Sequence, residues 1–215
     1  MKRRIVLLGP PASGKGTQAE MITARYEIPS ASPGSMLREE RAAGSALGAE
    51  ADGFTSQGRL VPDTIANQLV AGWLEKHDAK FIFDGYPRSL GQANVLEQML
   101  AARGTPLEVA LSFEADLMTL QGRVMSRCVC SECARNFSSG IHDVAVDAPC
   151  PSCGAPLLRR SDDTLETLAV RMDEYRAKSV PLIGFYRERG LLRTIDATQS
   201  PEKVFGLVVR ILEES

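Results

Sequence analysis

Short apolar runs alternate along the chain with stretches of helical periodicity. Four runs predict β-strands, at Ile5–Leu8, Phe81–Phe83, Val109–Phe113 and Leu192–Ile195. Apolar residues that recur every three to four positions predict helices at Gly14–Arg25, Met36–Ala43, Asp63–His77, Leu90–Arg103, Ala115–Arg127, Thr164–Tyr175 and Pro201–Glu213. Strands separated by helices favour a parallel sheet with helices on both faces, so the pattern predicts a three-layer α/β fold.

One segment, residues 128–158, interrupts this alternation. It is rich in Cys, Ser, Pro and Gly and poor in long apolar runs, which predicts a small insert between two helices. The insert carries Cys130-x-x-Cys133 and, sixteen residues later, Cys150-x-x-Cys153. Two such pairs at this separation are typical of a tetrahedral four-cysteine zinc site. Four thiolates leave no open coordination position, so the metal is expected to be structural.

Two alternatives for the cysteines remain at this point. The four paired cysteines could form two disulfides, although nothing in the sequence indicates export to an oxidising compartment. Cys128 falls outside the spacing and is interpreted as a free thiol or as an alternative ligand.

Composition narrows the class of protein. The 215 residues are 44% hydrophobic and 24% charged, which is typical of one globular core with room for an inserted module. The net charge of −2 provides no broad attraction to nucleic acid or to an anionic membrane. The four strongly apolar residues Ile5–Leu8 are too few for a signal sequence or a membrane span, so we expect a cytoplasmic protein.

The most informative motif follows the first predicted strand. Residues Gly9–Thr17 match the pattern G-x-x-x-x-G-K, in which backbone N–H groups cradle a polyphosphate and the lysine, here Lys15, reaches the β and γ phosphates. Gly16 stands where a hydroxyl usually helps to hold magnesium, and Thr17 supplies that group one place later. The motif predicts a nucleoside triphosphate site, with a chance glycine-rich turn as the alternative.

A second charged motif follows the strand at Phe81–Phe83. Asp84 stands at the end of that strand, where a P-loop fold places a carboxylate for magnesium and its waters. The turn after Asp84 delivers Arg88 to the same sheet edge. Other arginines at 38, 123, 127, 160 and 171 are either solvated surface charges or binders of transferred phosphate, and guanidinium groups suit the latter role.

Together these motifs resemble those of adenylate kinases, in the bacterial long form with a zinc-bearing lid. The resemblance spans the chain. It rests on the loop with Gly14-Lys15-Gly16-Thr17, and on Ser32–Arg38, Gly58–Val61, Asp84–Arg88, Gln92, the four cysteines, Arg160–Asp163, Arg171 and Pro181–Ile183. It implies a P-loop nucleoside triphosphate hydrolase-like three-layer fold. The implied core comprises residues 1–31, 62–125 and 164–215, with a monophosphate-binding flap at 32–61 and a lid at 126–163.

The resemblance implies reversible transfer of a phosphoryl group from Mg-ATP to AMP, giving two ADP, by a monomer whose flaps move freely. The implied catalytic residues are Lys15, Asp84, Arg88, Arg127, Arg160 and Arg171. The implied ATP-binding residues are Ala12, Ser13, Gly14, Lys15, Gly16, Thr17, Arg123, Arg127, Asn136, Phe137 and Gln199. The implied AMP-binding residues are Pro33, Arg38, Arg59, Leu60, Val61, Gly85, Tyr86, Pro87, Arg88, Gln92, Arg160 and Arg171.

The chain departs from the family pattern in the flap and in the loop. Pro33-Gly34-Ser35 replaces the usual Thr-Gly-Asp, and Ala12 replaces a loop glycine. Because Pro33 lacks a hydroxyl and an N–H, a kinase that prefers UMP or CMP is an alternative, as is a nucleotide-binding protein without turnover. Asp162-Asp163 is interpreted as an N-cap pair of the following helix, and the resemblance implies that the pair helps to latch the closed lid; the two roles are compatible.

Overall fold

The computed structural model describes residues 1–55, 61–77, 79–133, 135–138, 144–159 and 163–214, without the side chains of residues 38 and 51–55. The strands in chain order, β1 to β8, are Arg4–Leu8, Ser30–Ala31, Phe81–Asp84, Val109–Glu114, Arg127–Cys130, Asn136–Ser138, Leu157–Leu158 and Leu192–Asp196. The helices, α1 to α9, are Lys15–Tyr26, Pro33–Ala42, Ala46–Thr55, Asp63–Lys76, Leu90–Ala102, Leu117–Ser126, Leu165–Glu174, Val180–Glu188 and Pro201–Glu213.

Five of the strands form a parallel central sheet in the order β2-β3-β1-β4-β8. Strand β1 is in the middle and pairs with β3 on one side and β4 on the other, with Leu7 opposite both Asp84 and Leu111. The carboxyl ends of β1 and β3 therefore meet at one sheet edge, and the glycine-rich loop and Asp84 follow from them. The predicted α/β fold with a parallel sheet is confirmed.

Alternate residues of the central strands supply two separate hydrophobic cores. Val6 and Phe83 belong to a cluster with residues of α4, α5 and α8. Ile5 and Leu7 belong to a second cluster with residues of α1 and α9. Side chains of neighbouring strand residues point to opposite faces, so strands buried on both faces need unbroken apolar runs. This explains why the four long strands were predictable from sequence.

The insert forms its own small sheet. Strand β5 lies between β6 and β7 and pairs with both in antiparallel fashion. Its small core consists of Cys128, Cys130, Cys150 and Leu157. Arg127 opens β5, so the prediction that the preceding helix continues through this residue is wrong, and α6 ends at Ser126.

Three other elements were not predicted. Strand β2 has only two residues, and helix α3 has no clear apolar face, so neither element is recognisable from the pattern of apolar residues. Helix α8 follows a π-helical turn at Tyr175–Ser179. Its first turn contains Pro181, a position where helices tolerate a proline. Within the part of the chain that the structure covers, no helix combines the length and the apolar character that a bilayer span requires.

Candidate active site

The glycine-rich loop follows β1 in a path that its glycines permit. Gly9 has φ 144°, and a Cβ there would lie 2.6 Å from the carbonyl oxygen of Phe113. Gly14 has φ 92° and caps the N-terminus of α1. Ala12 also adopts a left-handed backbone conformation, with φ 63°, and it packs against the apolar cluster shared by α6 and α7. The loop therefore accommodates alanine, at a conformational cost that this packing helps to offset.

Lys15, the first residue of α1, is folded back over this loop. Its Nζ donates to the carbonyl oxygens of Gly9 at 2.9 Å and Pro10 at 2.8 Å, and to Ser13 Oγ at 3.3 Å. Burial lowers the pKa of Lys15 to about 8; the charge of Asp84 opposes this shift, and neighbouring arginines reinforce it. The ammonium thus donates its hydrogen bonds to neutral oxygen atoms, and a phosphate would be a stronger partner for it.

Asp84 lies at the end of β3 beside the start of α1. A Cβ added to Gly16 would lie 3.4 Å from Asp84 Oδ2, which is closer than most such contacts. The glycine after Lys15 therefore leaves space next to the carboxylate that a larger residue would narrow. An oxygen ligand beside a loop that can hold polyphosphate suits a hard cation such as Mg²⁺.

Arg88 is held against the turn that follows Asp84. Its Nε donates to the carbonyl oxygen of Gly85 at 2.7 Å. Gly85 has φ 71°, where a side chain is strained, and a Cβ there would meet Arg88 Nη2 at 2.9 Å, so a larger residue would displace the guanidinium. Burial lowers the pKa of Arg88, the charges of Asp84 and Glu174 raise it, and Arg171 lowers it again. Arg88 and Arg171 thus act on one another electrostatically, as two cations directed at one anion would.

Arg127 pairs with Asp163 across the base of the insert. Its Nε donates to Asp163 Oδ2 at 2.6 Å, and its Nη2 contacts Oδ1. Asp163 is only 4% exposed. The N-cap of α7 is Thr164, whose hydroxyl accepts from the backbone N–H of Thr167 at 3.1 Å. The interpretation of Asp163 as the N-cap is therefore wrong, and the carboxylate instead holds an arginine.

We expect Arg127→Met to lower the free energy of unfolding by about 3 kcal/mol, because it leaves the Asp163 carboxylate buried without a partner. The double variant Arg127→Met/Asp163→Asn should recover most of this loss. Urea denaturation followed by circular dichroism measures both effects.

Arg176→Met is the matched control for this pair. It removes an exposed ion pair with Asp173, so its effect should stay below about 0.5 kcal/mol. Equal losses in Arg127→Met and Arg176→Met would contradict a buried pair.

A cavity of about 440 Å³ joins these groups. Its walls include fourteen of the residues predicted for the site, namely Ala12, Ser13, Gly14, Lys15, Gly16, Thr17, Asp84, Arg88, Arg123, Arg127, Asn136, Phe137, Arg171 and Gln199. Arg123 is anchored here by donation to the carbonyl oxygen of Ala197. The loop, the lid strands and the segment before α9 therefore face one space.

Fewer of the residues predicted to bind AMP line this cavity. Pro33, Val61, Gly85, Tyr86, Pro87 and Gln92 are described but do not line this cavity. Arg59, Leu60 and Arg160, and the side chain of Arg38, lie outside the described part of the chain.

The cavity wall also includes residues that were not among those predicted to bind nucleotide. Ser32 and Gln18 line it, as does Asp163. Gln18 is buried within α1, and its Nε2 donates to the carbonyl oxygen of Pro201 at 3.0 Å. In the sequence, Gln18 could have been found as a polar residue at a position of α1 that is expected to be buried. Ser32 could have been recognised as the N-cap of the helix that begins at Pro33.

The start of the flap explains the unusual Pro33-Gly34-Ser35. Ser32 is the N-cap of α2 and Pro33 is its first residue, so the helix begins earlier than the predicted Met36. Ser32 Oγ accepts from Ser35 N at 3.1 Å, and Ser35 Oγ accepts from Ser32 N at 2.9 Å. Ser35 therefore completes a capping box, a role that glutamate or glutamine usually fills.

The four paired cysteines meet at one point of the insert. The sulfur atoms of Cys130, Cys133, Cys150 and Cys153 lie within 4.8 Å of one another and could hold a metal ion, and Cys128 lies outside this group. Cys133 N donates to Cys130 Sγ at 3.4 Å. Burial raises the pKa of Cys130, but hydrogen bonds, chiefly from backbone N–H groups, outweigh it and lower the pKa to about 6. Cys130 therefore favours thiolate, the form that binds metal.

A glycine-rich loop at the carboxyl end of a parallel strand, a lysine on that loop and arginines around one cavity define a P-loop phosphotransferase. The family model for adenylate kinase matches residues 7–191. The chain is 38% identical to an adenylate kinase of Thermodesulfovibrio yellowstonii, over 98% of this chain and 99% of the relative. It is 39% identical to one of Moorella thermoacetica, over 97% of each. It is 36% identical to one of Clostridium botulinum, over 98% and 99%.

The chain belongs to the adenylate kinase family. It is therefore a nucleoside monophosphate kinase, and the predictions of its family, fold and enzyme class are confirmed. The reaction of this family is reversible transfer of a phosphoryl group from ATP to AMP. Neither the family match nor these relatives favour a UMP or CMP kinase or a protein without turnover.

Proposed function

We propose that this adenylate kinase transfers the γ-phosphoryl group of Mg-ATP to AMP within the cavity between the loop and the lid. The observation that carries the proposal is that Lys15, Arg88 and Arg127 line one cavity together with Asp84. Burial lowers the pKa of Lys15, and the charges of Arg88 and Arg127 lower it further although Asp84 opposes them. A polyanion bound between these cations would relieve their mutual repulsion. ATP and AMP together supply that polyanion.

ATP would bind with its phosphates on the loop amides of residues 12–17. Lys15 would exchange the carbonyl oxygens of Gly9 and Pro10 for phosphate oxygens, since charge-assisted hydrogen bonds are the stronger ones. The base would lie towards Arg123 and Gln199, at the end of the cavity near Ala197. Asn136 and Phe137 of β6 would cover it from the lid.

AMP would bind on the Arg88 side of the cavity. Arg88 and Arg171 would hold its phosphate, and the flap at 32–61 would close over the nucleoside. The remaining acceptor residues of this assignment are Pro33, Arg38, Arg59, Leu60, Val61, Gly85, Tyr86, Pro87, Gln92 and Arg160.

No side chain has to act as a strong base in this reaction. Phosphoryl transfer depends on in-line positioning and on neutralising charge that spreads over the transferred group. Mg²⁺ bound to ATP would supply part of that neutralisation, and Asp84 would be the carboxylate that orients it. Closure of the lid at 126–163 would bring Arg127 over the phosphates and exclude water that would otherwise hydrolyse ATP.

The lid is proposed to carry a structural zinc ion on its four cysteines. A segment with so small a core gains its stability from metal coordination. Its closed set of thiolate ligands keeps the metal out of the reaction. The monomeric state and the cytoplasmic location stay predictions, which analytical ultracentrifugation and cell fractionation would check.

ADP formation from Mg-ATP with AMP, UMP, CMP and GMP in turn tests the proposed function. We expect AMP to give the highest kcat/KM, by at least about 100-fold, because a site that hydrogen-bonds one base leaves its groups unpaired with another. Turnover with none of the four would overturn the enzymatic function. A preference for a pyrimidine would overturn the assignment of AMP and would point to Pro33.

A further inference from the structure

The side-chain amide of Gln92 is held at both ends. Gln92 is 4% exposed and lies in the first turn of α5. Its Oε1 accepts from the backbone N–H of Arg88 at 2.7 Å, and its Nε2 donates to Asp63 Oδ1 at 2.7 Å. Asp63 is the first residue of α4, so this contact joins two helices.

The chemistry of the two partners determines which way the amide points. A backbone N–H can only donate, and an ionised carboxylate can only accept. Rotating the Gln92 amide by 180° would place donor against donor at Arg88 and acceptor against acceptor at Asp63. The orientation therefore follows from the partners.

Asp63 is itself held in place. Its Oδ2 accepts from Ser89 Oγ at 2.6 Å, while Ser89 Oγ caps α5 by accepting from Gln92 N at 3.2 Å. A carboxylate in the first turn of α4 is also favoured by the helix dipole. Burial and then the charge of Asp63 raise the pKa of the neighbouring Tyr86 phenol, which donates to Asn67 Oδ1 at 2.7 Å. The carboxylate of Asp63, an exposed residue, thus has two defined hydrogen-bond partners at the surface end of this polar network.

We propose that Asp63 is a positioning residue that selects the acceptor base through Gln92. With one N–H and one lone pair of the amide already engaged, the second N–H and the second lone pair are left in fixed places. Adenine offers an acceptor at N1 beside a donor at N6, whereas hypoxanthine offers the reverse, a donor at N1 beside an acceptor at O6. In the fixed amide, the second N–H can donate to N1 of adenine while the second lone pair accepts from N6. This role rests on the proposed function, in which Gln92 lies against the base of AMP.

The test compares Asp63→Ala and Asp63→Asn with the wild type in steady-state kinetics. For Asp63→Ala we expect KM for AMP to rise about 10-fold, because the hydrogen bond from Gln92 to a charged group is lost. kcat and KM for ATP should stay within about twofold, because neither depends on the acceptor base. The ratio of kcat/KM for AMP to that for IMP should fall, since the hydrogen bond from Arg88 N is then the remaining one of the two that oppose rotation of the amide. Asp63→Asn should lie between the two, because it keeps one acceptor oxygen.

Glu97→Gln is the matched control, since it removes a carboxylate that pairs with Arg189 on the outer part of α5. It should leave both KM values and the AMP to IMP ratio unchanged. Calorimetric titration of AMP and IMP gives the same comparison without turnover.

Losses in Asp63→Ala that fall equally on kcat and on both KM values, with the AMP to IMP ratio unchanged, would overturn the role of Asp63 alone. Unchanged kinetics in both Asp63→Ala and Asp63→Asn would also overturn the role of Asp63. A wild type that phosphorylates no monophosphate would overturn the proposed function and this role together.

Discussion

Lys15→Ala lowers kcat by about 100- to 1000-fold, while the free energy of unfolding changes little; this is the largest catalytic effect that we expect. The reason is that Lys15 Nζ hydrogen-bonds to loop oxygens, and its lowered pKa means that burial disfavours its charge, so the charge does not stabilise the fold. Steady-state ADP formation and urea denaturation of the same preparation measure the two quantities.

Lys203→Ala is the control for this variant, because Lys203 is an exposed residue of α9 that does not line the cavity. It should change neither quantity. Parallel losses of activity and stability in Lys15→Ala would contradict the role assigned to the lysine.

The lowered pKa of Lys15 adds a pH dependence to this result. Because the folded-state pKa of about 8 lies below the usual value for lysine, the unfolded chain binds more protons between these two values. The contribution of Lys15 to stability therefore rises with pH above about 8, while the affinity for ATP falls as the ammonium is lost. Both trends should be absent in Lys15→Ala.

Cys130→Ser is the second variant with a large expected effect, and it acts on the lid. We expect the zinc content to fall from about one ion per chain to near zero, since serine does not replace a thiolate ligand. The lid should then lose its fixed structure, while the central sheet keeps its own two cores. Metal analysis, limited proteolysis within residues 128–158 and circular dichroism check the three statements. Activity should fall because Arg127 opens the same strand.

Cys128→Ser is the matched control, because Cys128 lies two residues away in β5 and outside the four-sulfur group. It should keep the metal. Loss of metal from both variants would show that the metal is released because β5 is destabilised, and would contradict coordination by Cys130. If metal analysis of the wild type finds far less than one ion per chain, the zinc proposal is overturned.

Part of this fold was predictable because its determinants are local. The long parallel strands are continuous apolar runs, and the loop is a contiguous motif whose glycines supply positive φ angles. The cysteine pairs likewise bring sulfur atoms together by short spacing. Strand β2 and helix α8 were missed because a two-residue strand and a helix that follows a π-helical turn carry little periodicity of their own.

The sequence by itself determined the class of the protein, because the groups that hold phosphate and metal lie within a few residues of each other. Only the tertiary structure decided how distant polar groups pair. Asp163 holds Arg127 over a separation of 36 residues instead of capping α7, and Asp63 holds Gln92 over 29. Such pairs depend on how helices pack against the sheet, and no pattern along the chain specifies which carboxylate meets which donor.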